Sequence, residues 1–105
     1  VTRSELEDRF LAFLDEGGLR APLVNTMIEA ARRRIEVDCV WPHRRLIVEL
    51  DGHTTHATRR GYERDRGRDR ALAVAGWRVV RITWRQLHEE RETLVADLRA
   101  LLGDH

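Results

Sequence analysis

Two runs of the chain alternate in the way half-buried strands do, and both lie in residues 35–56, IEVDCVWPHRRLIVELDGHTTH. A strand sends successive side chains to opposite faces. The first run therefore puts Ile35, Val37 and Cys39 on one face and Glu36 and Asp38 on the other. The second opposes Leu46, Val48 and Leu50 to Ile47, Glu49 and Asp51. Pro42 stops the first run, and a two-residue loop at His43-Arg44 would join the two as an antiparallel hairpin. With that loop, Asp38 falls directly opposite Glu49. Like charges so placed destabilise a strand pair, so three acids kept this close at the strand ends, Asp38, Glu49 and Asp51, are expected to hold a cation there.

The rest of the chain follows the helical period or falls between periods. Leu6, Phe10, Phe13 and Leu14 form one apolar stripe. Ser4 with Glu7 has capping-box spacing and predicts the helix start, and Gly17-Gly18 its end. Residues 23–28, after Pro22, read as a first strand. Residues 29–34 (EAARRR) fit either a helical turn or a hairpin connection. A second helix is expected over residues 58–75. At about 100° per residue, Tyr62, Asp65, Asp69 and Leu72 share a face, which should turn toward the sheet. Asp65 and Asp69, four residues apart, would then need a cation nearby. Gly76 ends that helix, residues 77–83 form a last strand, and Thr83 with Gln86 repeats the capping spacing. A final helix over residues 91–102 points Leu94, Leu98, Leu101 and Leu102 inward, with Gly103 as its stop. The order is helix, three strands, helix, strand, helix. It predicts an α/β (α+β three-layer) fold around one mixed central sheet, as a single domain over residues 1–105.

Composition narrows the function classes. The chain has 105 residues, 42% hydrophobic and 35% charged, enough for one modest core. No apolar run reaches membrane-spanning length and no N-terminal signal pattern is visible, so the expected compartment is cytoplasmic, with no membrane partner. One cysteine excludes an internal disulfide and argues against structural zinc. All 19 basic residues are arginine, against a net charge of +1. A GC-rich genome and phosphate binding by forked guanidinium groups both account for that bias. Either way, no lysine takes part in any chemistry.

Asp38, Glu49 and Asp51 are the candidate metal ligands. Hard divalent cations such as Mg²⁺ or Mn²⁺ take carboxylate oxygens, polarise phosphates and activate bound water. A solvated strand face is the alternative. His56 reads as a general base or ligand, or as a surface histidine in a polar loop; His53 reads as surface. Arg59, Arg60, Arg64, Arg66 and Arg68 outnumber the acids of their helix and, with Arg45, suit a phosphate backbone, or else a solvated face. No small-molecule cofactor is indicated.

With these residues in place, the chain resembles the PD-(D/E)xK, restriction-endonuclease-like superfamily. Asp38 matches its first acid and Glu49 its second, while Asp51 stands at the lysine position. More closely, VELDGHTTH, YERDRGRDRALAVAGWRVVRITW and SELEDRFLAFL are similar to a bacterial domain of unknown function grouped with very-short-patch repair (Vsr-like) endonucleases. The resemblance implies a DNA endonuclease using Mg²⁺ or Mn²⁺. It makes Asp38 the metal carboxylate, places Glu49 and Asp51 beside it, and makes His56 the base or a ligand. Glu7 and Asp65 become acids that orient water. Thr54 and Thr55 replace the aromatic residues that precede the matching histidine in the repair enzymes, which separates the chain from mismatch recognition. Such domains also look like C-terminal parts of longer proteins behind a DNA-binding or antitoxin-like segment. The rival expectations are a catalytically silent DNA-binding or regulatory domain and a protein-interaction module of a toxin–antitoxin or phage-defence protein.

Overall fold

The computed structural model describes residues 2–52 and 59–103. Its elements run α1 (Arg3–Glu16), β1 (Leu23–Ala30), β2 (Arg33–Trp41), β3 (Leu46–Asp51), α2 (Arg59–Val74), β4 (Arg78–Thr83), α3 (Trp84–Glu89) and α4 (Arg91–Leu102). The strands form one sheet in the order β1-β2-β3-β4. The first three are antiparallel neighbours, and β4 lies parallel to β3. This is the expected mixed sheet with flanking helices. The short helix α3 is additional, and its N-terminus is the Thr83–Gln86 capping box.

The core has two layers. Leu6, Phe10, Phe13 and Leu14 of α1 and Leu94, Leu98 and Leu102 of α4 pack with Cys39, Trp41, Leu46, Val48 and Ile82 on one side of the sheet. On the other side, Ala71 and Leu72 of α2 cover Ala30, Ile35, Val37, Val40 and Ile47. Cys39 therefore lies opposite Ile35 and Val37, not with them as simple alternation predicts. The alternation slips at Asp38: pairing with β1 runs on either side of it but skips Asn25 opposite Asp38, and Asn25 is left-handed at φ 46°.

The helix starts at Thr2 rather than Ser4. Thr2 makes the capping box with Glu5, and Leu6 N–H already donates to Thr2 O at 3.0 Å. This leaves Glu7 free for other work. Residues 29–34 resolve as a hairpin: Ala30 pairs with Arg33, and the tip residues Ala31 and Arg32 both have positive φ, 50° and 69°. A two-residue turn matching strand twist requires this conformation, and it normally uses Asn-Gly. Side chains at both tip positions cost about 1–2 kcal/mol each. The β2–β3 connection is longer than the expected His43-Arg44 loop. A 3-10 turn at Pro42–Arg44 and a left-handed Arg45 separate Trp41 from its partner Leu46. The longer loop has the same centre, so the predicted register holds, and Cys39 pairs with Val48.

Candidate active site

The β2–β3 ladder ends at Cys39–Val48, and the next opposed residues are Asp38 and Glu49. Their side chains take over the hydrogen bonding there. Asp38 N–H donates to Glu49 Oε2 at 3.0 Å, and Leu50 N–H donates to Asp38 Oδ2 at 2.8 Å. Each carboxylate thus accepts a backbone amide of the other strand, and the like-charged pair is held together by the fold. Among the described residues, Glu49 is the buried charged residue, 7% exposed.

Two arginines stand against the opposed acids. Arg3, in the first turn of α1, donates to Asp38 Oδ1 at 2.6 Å. Arg68, from α2, forms an ion pair with Glu49 Oε1 and donates to Glu36 O at 2.9 Å. Asp38 beside it raises the Arg3 guanidinium above its ordinary pKa, with smaller contributions from Glu36 and Glu7. Cys39 lies under the same acids. Burial first, then the charges of Asp38, Glu7 and Glu49, pushes its thiol up to about 12. Glu7 belongs to this environment, and Asn25 Nδ2 donates to its Oε1 and Oε2 at 3.3 and 3.1 Å.

Other expectations are met differently. Asp51 ends β3 opposite Thr83 and is exposed, lining an open cleft with Thr83, Trp84, Arg85, Gln86 and Glu90. Among the described residues, no three His, Cys, Asp or Glu side chains stand close enough to hold a metal ion. The structure joins Asp38 to Glu49 but does not bring Asp51 into a three-carboxylate group. Helix α2 is rotated from the predicted orientation. Tyr62 and Asp65 are exposed, and Arg68, Ala71 and Leu72 face the sheet. Asp69 is half-buried but meets cations, bridging Arg66 at 2.9 Å and Arg81 at 2.6 Å. The physical reason is that Arg68 reaches Glu49, which outweighs burying Tyr62.

Of the candidate phosphate-binding arginines, Arg68 is thus committed to Glu49. Arg45 is committed too: it donates to Ala75 O and lies over the Trp77 ring at 4.1 Å, at the end of the hairpin away from Asp38. Arg59 pairs loosely with Glu63 at 3.6 Å, and Arg66 also covers the Tyr62 ring at 5.0 Å. Arg59, Arg60, Arg64 and Arg66 are exposed. The readings at His53, His56 and Thr58 lie outside the described residues. Arg3 is the site residue the sequence reading missed. No spacing marks it, because its partner stands 35 positions away.

A mixed sheet whose second and third strands present an Asp and a Glu side by side, with helices on both faces, defines a PD-(D/E)xK-like nuclease fold. The chain belongs to the restriction-endonuclease-like family REase_MTES_1575, whose pattern matches residues 7–102. Its fold is similar to the catalytic domain of the homing endonuclease I-Bth0305I. The TM-score is 0.67 at 18% identity, over 90% of each chain. Comparison with curated proteins finds no match.

Proposed function

We propose that the chain is a metal-dependent endonuclease that nicks or cuts DNA. The observation that carries this reading is the Asp38–Glu49 pair, locked by reciprocal amide bonds at the open end of the strands. The donor set is all oxygen and already attracts positive charge, so it fits Mg²⁺ or Mn²⁺. Asp38 and Glu49 would hold the ion, which supplies charge for a phosphate oxygen and an activated water. Glu7 orients water from α1, and His56 accepts the proton, following the resemblance. Arg59, Arg60, Arg64 and Arg66 present guanidinium groups to the backbone. In the absence of lysine, Arg3 and Arg68, paired with Asp38 and Glu49, are the cations at the acid pair.

A second reading has its own support. Both carboxylates are already neutralised, by Arg3 and Arg68, and Asp51 occupies the lysine position. This favours a silent DNA-binding relative. Conversion of supercoiled plasmid with Mg²⁺, Mn²⁺ or EDTA separates the two. Asp38→Asn keeps an oxygen for Leu50 N–H and should lower nicking by orders of magnitude while leaving the domain folded. Full activity of that variant, or undiminished cutting in EDTA, would falsify the site. A wild type that binds duplex DNA and never cuts supports the silent reading.

A further inference from the structure

Gly67 lies in the middle of α2, where alanine would make a better helix. A Cβ built there would sit 3.7 Å from Arg33 Nη1 and 3.7 Å from Arg70 Nη2, an ordinary contact with both. Nothing in the fold excludes a methyl group, so neither sterics nor stability accounts for the glycine. Two guanidinium groups instead converge over bare helix backbone, one from β2 and one from α2. Among the described residues neither has an acid within ion-pair reach, unlike Arg3, Arg66, Arg68 and Arg81. Their like charges repel across the gap. The Arg33 backbone pairs with Ala30 at the end of the hairpin, directly after the two left-handed tip residues.

Glycine is used where a ligand must approach the backbone closely. Two forked guanidiniums facing one gap match two oxygens of a phosphate, at charge-assisted bonds of about 2.7–2.9 Å each. We infer that Arg33 and Arg70 form a clamp for one phosphodiester of a nucleic-acid backbone, with Gly67 as its floor. The clamp rests on the nuclease reading above and places a contact away from the chemistry. Arg33 precedes Asp38 by five residues of β2, about 17 Å at strand rise, or roughly half a helical turn of duplex DNA.

The test is anisotropy titration of a short duplex in EDTA, across salt, beside thermal unfolding. Gly67→Ala should melt higher than wild type yet bind DNA roughly three- to tenfold more weakly. Arg33→Gln and Arg70→Gln should each weaken binding similarly and lower the log–log salt slope by about one. Because they share one phosphate, the double variant should lose little more than either single. Arg91→Gln, on α4, removes the same charge and should leave binding near wild type. The clamp is overturned if Gly67→Ala binds like wild type, if the two arginine losses multiply, or if neither exceeds the effect of Arg91→Gln. It is also overturned if millimolar inorganic phosphate stabilises wild type but not Gly67→Ala while DNA binding is equal in both. A wild type that ignores duplex DNA at low salt would instead remove the nuclease reading itself.

Discussion

Replacing Arg68 by methionine keeps a long unbranched side chain and removes the charge that joins α2 to the end of β3. Glu49 would keep its amide bond from Asp38 but lose its cation, and Glu36 O would lose a donor. Removing one partner of a buried ion pair costs about 3–5 kcal/mol. Here the Arg68 and Glu49 side chains are 21% and 10% exposed, so some water reaches the break. About 2–3 kcal/mol is the expected loss once that solvation is allowed for. With an unfolding entropy of about 2.1 cal/mol/K per residue, this chain should then melt roughly 9–14 °C lower. The diagnostic is the second substitution. Glu49→Gln retains an oxygen for Asp38 N–H and discards the charge. In the Arg68→Met background it should restore half or more of the lost stability, a coupling of about 1–2 kcal/mol. Thermal unfolding of the four proteins in EDTA gives the cycle directly. A melting point for Arg68→Met within two or so degrees of wild type, or simple additivity of the two changes, refutes the reasoning.

Two more predictions come from the same corner of the fold. Arg3 is 65% exposed at its side chain and competes with any metal for Asp38. Arg3→Gln should barely move the melting point in EDTA but tighten Mn²⁺ binding roughly two- to fivefold, the scale of an exposed ion pair. Identical Mn²⁺ midpoints in a thermal-shift titration would contradict this. The buried Cys39 thiol should resist iodoacetamide at pH 8 until the chain unfolds. Its pKa is raised from 9.0 to about 12, so the folded chain keeps a proton that the unfolded chain releases. That contribution is complete below pH 9 and is lost as pH rises toward 12, and Cys39→Ala should flatten this part of the stability profile. Rapid labelling of folded protein at pH 8 speaks against the placement.

Patterns governed by periodicity were legible in the sequence. The α1 stripe, the leucines of α4 and the opposition of Asp38 to Glu49 all follow from repeat and turn centre. Competing signals of equal strength were not. Thr2–Glu5 and Ser4–Glu7 both satisfy the capping spacing, and only tertiary contact decides: Glu7 is taken by Asn25. The Ala31-Arg32 tip carries none of the usual turn chemistry, because its residues adopt a conformation they resist in isolation. The rotation of α2 was hidden for another reason. An arginine counts as polar in any periodic pattern, yet Arg68 lies half inside because a buried acid on β3 awaits it. Asp51 shared the alternation of Glu49, but the strand's end lies in the open.

The reciprocal amide bonds of Asp38 and Glu49 give those two residues a second employment. They finish a strand pair whose ordinary ladder stops one step short, so they serve architecture whether or not any bond is cut. A lineage that gave up hydrolysis would still have reason to retain both acids. An intact acid pair in such a chain is therefore a record of how the sheet closes and no certificate of activity. The residues free to drift once cutting ceases are those with no structural duty, and these are the better witnesses when live enzymes are to be told from retired ones.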